Sequence, residues 1–258
     1  MWDPARYLAF ETERGRPCRD LVARLSLAEP GRLVDLGCGP GTSTRVLAER
    51  WPRARLLGVD RSAEMLAVAR ASGVAADWIE ADLTRWDPPS DVDLLFSNAA
   101  FQWIPDHLAL VRRLFDGLRG GGVLAFQVPA APTGGLGEAL ERVIGEMAVP
   151  HAARAIAQSP RVESLETYYD ALAGRAASVD LWDSRYVHIF DGPHRILDWS
   201  RGTALRPWLD GFPTDADRTR FLEAMDRAIA ARYPRRPDGR VLFPFLRRFV
   251  VAVRASSR

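Results

Sequence analysis

The stretch Asp35-Leu36-Gly37-Cys38-Gly39-Pro40-Gly41 places three glycines at every second position after an apolar run. Glycines in such a turn let the backbone approach a ligand closely, and free N–H groups at the start of a following helix favour electronegative atoms. A glycine loop alone specifies little. Three downstream residues sharpen it: Asp60 ends "LLGVD", Asp82 lies in "IEADL", and Asn98 lies in "FSNAAFQW". Each also has an ordinary reading. Asp60 can cap the next helix, Asp82 can close a turn, and Asn98 can satisfy local backbone.

Spacing restricts the ligand. An ATP or GTP loop of the form G-x-x-x-x-G-K-[ST] needs a lysine. All 35 basic residues are arginine and lysine is absent, which also removes Schiff-base and lysine-base chemistry. A dinucleotide turn wants G-x-G-x-x-G. Counted from Gly37 and Gly39, the third position is Thr42, and Gly41 comes one residue early.

The elements that must position these residues follow from periodicity. Apolar runs predict strands at Arg32–Leu36, Arg55–Asp60, Asp77–Glu80, Val92–Ser97 and Val123–Val128. Helical spacing predicts helices over Thr42–Arg50, Ala63–Ala71 and Pro105–Leu118, with Ser62 capping the second and "RGGG" (Arg119–Gly122) ending the third. This alternation implies a parallel, doubly wound sheet with right-handed crossovers. Such folds bind ligands where strands end and their order reverses. After Pro129 the pattern turns mostly helical: Glu138–Met147, parts of Ala152–Ala177, Arg195–Thr203 and Asp215–Tyr233. A strand is expected over Leu181–Phe190 and a last one in "FLRRFVVAVRA"; Pro17–Ser26 predicts an N-terminal helix.

An acidic residue followed by G-x-G-x-G, as in "DLGCGPG", resembles the class I methyltransferases, which use S-adenosylmethionine and release S-adenosylhomocysteine. The resemblance implies a Rossmann-like α/β fold: a seven-stranded, mostly parallel sheet with an antiparallel last strand, plus a helical cap. It implies that Asp35, Gly37, Cys38, Gly39 and Gly41 form the methionine-side turn. Asp60, with Arg61, would meet the ribose hydroxyls. Ala81, Asp82 and Leu83 would meet the adenine, and Asn98 would lie near the transferable methyl.

The rest of the chain resembles trans-aconitate 2-methyltransferases. The likeness rests on "WDPARY" (Trp2–Tyr7), "ERGRP" (Glu13–Pro17), "NAAFQWIPDH" (Asn98–His107), "YYD" (Tyr168–Asp170), "VDLWDSRYVH" (Val179–His188), "DWSRGTALRPWL" (Asp198–Leu209) and "FPFLRRFVVAVR". "VPAAPTGGLG" (Val128–Gly137) departs from that family's pattern. The change of pattern after Pro129 predicts an N-terminal cap segment at 1–30 and a cofactor-binding core at 31–130. A substrate cap at 131–240 would carry one core strand (about 181–190), with a final strand in 241–258. The substrate would be a small polycarboxylate.

A carboxylic acid with a pKa of about 4 to 5 is ionised at neutral pH, so its methylation needs no general base. Catalysis reduces to orientation and exclusion of water. Arginine forks clamp carboxylates. Arg206 and Arg14 are the expected clamps, Tyr7, Tyr169 and His188 the expected donors, and Trp103 and Trp208 the expected walls. Against this, most arginines must be solvated surface, and both tryptophans and His188 can simply pack in a core.

Two cysteines and four histidines without metal-ligand spacing give no expectation of a metal. A net charge of +2 gives none of nucleic acid. No apolar run approaches a membrane span and the start lacks a signal-peptide layout, so a cytoplasmic location is expected; arginine in place of lysine and abundant alanine point to a bacterial source, and a monomer is expected. Other readings stay open: another O- or N-nucleophile as acceptor, a nicotinamide-dependent oxidoreductase, or a binding protein without turnover.

Overall fold

In the computed structural model, residues 11–130, 135–147, 149–150 and 162–256 are described. Seven strands form one sheet in the order β3-β2-β1-β4-β5-β7-β6. These are β1 (Arg32–Leu36), β2 (Arg55–Asp60), β3 (Asp77–Glu80), β4 (Leu94–Asn98), β5 (Val123–Pro129), β6 (Ala176–Phe190) and β7 (Val241–Arg254). β1 pairs in parallel with both β2 and β4, β2 with β3, and β4 with β5; β7 runs antiparallel to β5. The expected class I methyltransferase architecture is present.

The helices are α1 (Glu11–Arg24), α2 (Thr42–Arg50), α3 (Ala63–Ala71), α4 (His107–Asp116), α5 (Gly135–Glu146), α6 (Leu165–Leu172), α7 (Pro193–Arg201), α8 (Arg206–Asp210) and α9 (Asp215–Arg232). Ser62 caps α3, its Oγ accepting from Met65 N at 3.3 Å. Five expectations shift. α4 begins at His107 rather than Pro105 because Asp106, at φ 50°, lies outside helical dihedrals. α1 begins at Glu11 rather than at Pro17 and takes Pro17 into its interior. β6 begins at Ala176, not near 181, and β7 spans fourteen residues. The short α8 was not expected.

The described residues fall into two compact units. The first comprises the chain up to Pro129, Val162–Ser184 and the chain from Arg247. Its core joins Val34, Leu36, Leu95, Phe101, Leu114, Phe126, Tyr168 and Val250, all buried. α1 is tied to β6 within this unit: Arg24 pairs with Asp180 at 2.7 Å and lies over the Trp182 ring, which stacks on Phe249 at 4.8 Å. The second comprises Ala130–Arg161 and Arg185–Leu246. There α9 packs on α5 and α7, and Trp199, Phe221, Met225, Ile229 and Phe243 are buried.

Candidate active site

The strand order reverses between β1 and β4, and the loops leaving these two strands meet. A Cβ on Gly37 would fall 2.3 Å from the Ala100 Cβ. Gly37, Gly39 and Gly41 all have positive φ (71°, 55° and 86°), the left-handed region that favours glycine. Their surroundings differ. A Cβ on Gly41 would lie 3.0 Å from the Trp78 ring, whereas one on Gly39 would meet nothing within 4 Å. The middle glycine therefore faces open space.

Asp60, ending β2, braces this turn. Its Oδ2 accepts from Gly39 N at 2.8 Å and its Oδ1 from Ser62 N at 2.9 Å. Gly37 N and Cys38 N both donate to Val59 O. Asp35, fully buried on β1, holds the first turn of α2: its Oδ2 accepts from Ser43 Oγ at 2.7 Å and Thr44 Oγ1 at 2.6 Å. Its Oδ1 is buried with no hydrogen-bond partner. Burial raises the Asp35 pKa to about 6, the Ser43 and Thr44 hydroxyls opposing this and the Asp60 charge adding to it. The Cys38 thiol is also pushed well up, first by burial and then by Asp35 and Asp60. It is a packed apolar group, not a nucleophile.

Asp82 is exposed, and its Oδ1 accepts from Thr84 N at 2.9 Å and Thr84 Oγ1 at 2.8 Å. These bonds hold its pKa below the usual carboxylate value, the backbone N–H foremost. Leu83 beside it is buried, Ala81 is half-buried and donates to Asp60 O at 3.0 Å, and Arg61 is exposed. Asn98 is half-buried at the end of β4, its Oδ1 accepting from Gln127 Nε2 at 2.5 Å. Ala99 follows at φ 57°, a strained position for a non-glycine residue. It is held by Ala99 N donating to Gln127 O at 2.9 Å and Gln102 Nε2 donating to Ala99 O at 2.6 Å. The first unit thus brings Asp35, the glycine turn, Asp60, Ala81 and Asn98 to the carboxyl ends of its parallel strands.

The expected acceptor residues are more scattered. Trp103 is half-buried in a 3-10 turn, Phe101–Trp103, of the first unit. Tyr169 is 50% exposed. Its neighbour Tyr168 and Leu172, four residues on, face the core, which turns Tyr169 outward by about 100°. Tyr168 instead bonds His107 Nε2 at 2.7 Å. In the second unit, His188 is buried among Trp199, Phe190, Phe243 and Phe245, with the Trp199 ring 5.0 Å away. Arg206 and Trp208 lie half-buried on α8, and Arg206 Nε approaches Asp210 Oδ2 at 3.5 Å. The Arg14 backbone belongs to α1; its side chain and Tyr7 lie outside the described residues. Periodicity gave no sign of Gln127, Arg247, Trp78 or Ala100, because each acts through a neighbour brought close by the sheet.

Among the described residues, no helix is long and apolar enough to cross a membrane, and no cluster of His, Cys, Asp and Glu could hold a metal ion. The family described as "Methyltransferase domain" matches residues 33–122. The trans-aconitate 2-methyltransferase of Azoarcus sp. (strain BH72) is 46% identical, over 98% of this chain and 99% of its own. That of Methylobacterium nodulans is 45% identical over 98% of each chain. The chain belongs to the trans-aconitate 2-methyltransferase family. The match covers nearly the whole length of both relatives, second unit included. Solved structures agree on the fold. Phosphoethanolamine N-methyltransferase 2 of Haemonchus contortus, in complex with S-adenosyl-L-methionine, superposes with a TM-score of 0.57 at 20% identity over 93% of this chain. The chain spans about half the length of that enzyme, 53%. The YcgJ protein from Bacillus subtilis gives 0.59 at 16% identity, covering 95% of this chain and 98% of its own.

Proposed function

We propose that the protein transfers a methyl group from S-adenosylmethionine to a carboxylate of trans-aconitate or a closely similar small polycarboxylate. The carrying observation is its family membership across nearly the whole chain. The donor side is supported by geometry. Gly39 leaves the turn open where a Cβ would otherwise stand, and the buried Asp35 Oδ1 has no partner. Asp60 adds an acceptor carboxylate at the next strand end. These features fit an adenosyl amino acid without phosphates.

When bound, S-adenosylmethionine supplies an activated methyl on a sulfonium leaving group. The chain's own part is to bind, orient and keep water away. Gly37–Gly41 and Asp35 would hold the methionine portion, Asp60 with Arg61 the ribose, and Ala81, Asp82 and Leu83 the adenine. Asn98 would lie by the methyl. The acceptor would be held by Arg206, Arg14, Tyr7 and His188, with Trp103 and Trp208 as apolar walls and Tyr169 as a more exposed donor. No side chain need take a proton, because the acceptor is already ionised at neutral pH. We further infer that residues 131–240 serve acceptor recognition and that the enzyme works as a monomer in a bacterial cytoplasm, without nucleic acid.

Calorimetric titration with S-adenosylhomocysteine and with NADH separates this from an oxidoreductase. Binding of the first alone is expected; binding of NADH alone overturns the proposal. A panel of polycarboxylates and amines with labelled cofactor then ranks the acceptors.

A further inference from the structure

A buried polar row crosses the carboxyl ends of β4 and β5 and reaches β7. Arg247 is 5% exposed and Gln127 1% exposed. Arg247 Nη1 donates to Gln127 Oε1 at 3.3 Å, and Gln127 Nε2 donates to Asn98 Oδ1 at 2.5 Å. A guanidinium has donors only. It therefore fixes the Gln127 amide with oxygen toward Arg247 and NH2 toward Asn98. That amide in turn fixes the Asn98 oxygen inward. Asn98 Nδ2 donates to nothing among the described residues and is not among the enclosed polar atoms. It is an open donor at the end of β4, next to the Ala99–Ala100 segment that packs on Gly37.

We propose that Arg247, acting through Gln127, locks the Asn98 amide as a hydrogen-bond donor to the acceptor carboxylate and so selects carboxylates over amines. This rests on the reading of the acceptor as a polycarboxylate. An amine acceptor brings N–H groups and needs an acceptor oxygen, but Asn98 Oδ1 is turned inward toward Gln127. An ionised carboxylate brings only lone pairs, which the outward NH2 matches. Arg247 and Gln127 are positioning residues; Asn98 is the group that meets the acceptor.

The test is Gln127→Glu in the full chain. The variant keeps a partner for Arg247 but cannot donate to Asn98, and its second oxygen draws the Asn98 NH2 inward. KM for trans-aconitate should rise about tenfold or more, with the S-adenosylhomocysteine Kd within about twofold, which also reports an intact fold. Gln127→Met, which imposes no orientation, should raise KM less. Side-chain amide NMR of the S-adenosylhomocysteine complex reads the lock independently. The wild type should show a shifted, slowly exchanging Gln127 NH2 pair that Arg247→Met abolishes. A Gln127→Glu enzyme with KM within about twofold of wild type overturns the selection. A Gln127 NH2 pair exchanging like free amide in the wild type overturns the lock. Protected amide signals in a wild type that methylates amines but no polycarboxylate overturn the acceptor reading and the selection, while the lock stands.

Discussion

Gly39 donates its backbone N–H to Oδ2 of Asp60 at 2.8 Å, joining the turn after β1 to the carboxylate that ends β2. The second oxygen of the same carboxylate accepts from Ser62 N, at the start of α3. Asp60 therefore sets the shape of the turn and the entry of a helix together. The expectation that Asp60 could cap the next helix matches its bond from Ser62 N; its brace on Gly39 was not expected.

Replacing Asp60 by alanine should weaken S-adenosylhomocysteine binding by about 1–3 kcal/mol, through loss of the proposed ribose hydrogen bonds and a loosened Gly39. Calorimetry checks this. An unchanged affinity would remove Asp60 from the cofactor site.

The three glycines should respond differently to alanine. Gly37→Ala forces a Cβ to 2.3 Å from Ala100 at positive φ, so thermal unfolding should show a loss of stability of more than about 2 kcal/mol. Gly39→Ala meets no neighbour within 4 Å and carries only the left-handed penalty of about 1–2 kcal/mol. Its larger effect should be on cofactor affinity, because the methyl enters the open space the ligand needs. Equal losses of stability in the two variants would contradict this assignment.

Asp35 gives a pH signature. Its folded pKa, raised from 3.8 to about 6 by burial, lies above the unfolded value. The folded state therefore binds the extra proton between these values, and stability is lost as pH rises from about 4 to about 6. Asp35→Asn cannot titrate. The stability of this variant relative to wild type should rise by about 2–3 kcal/mol between pH 4 and pH 7. Urea titrations at the two pH values measure the difference, and a constant offset would show that Asp35 stays ionised throughout.

Arg206→Ala should raise KM for the acid about tenfold or more while leaving S-adenosylhomocysteine affinity alone. Arg206 is half-buried on α8, with its Nε 3.5 Å from Asp210 Oδ2, and its guanidinium is of the type that clamps carboxylates. A variant that loses cofactor affinity instead would place Arg206 on the donor side.

The core was largely legible because its signals are local. β1, β2 and β3, and α2 and α3, occupy the ranges that periodicity and capping indicate, since each combines an apolar run with a turn or cap such as Ser62. What sequence could not show depends on contacts across the sheet. Ala100 explains why Gly37 is glycine, yet they lie 63 residues apart. Gln127 and Arg247 reach Asn98 only because β4, β5 and β7 are neighbours in the sheet. The start of α1 was not legible either: the helix begins at Glu11 and holds Pro17 inside. In the YYD motif, helix phase decides which tyrosine is buried, and it buries Tyr168.

The most direct test incubates the purified full chain with methyl-labelled S-adenosylmethionine and trans-aconitate, then analyses the products by mass spectrometry. The account predicts a singly methylated ester carrying the label, formed with stoichiometric S-adenosylhomocysteine. Tight S-adenosylhomocysteine binding with no labelled ester on trans-aconitate or any related polycarboxylate would contradict it.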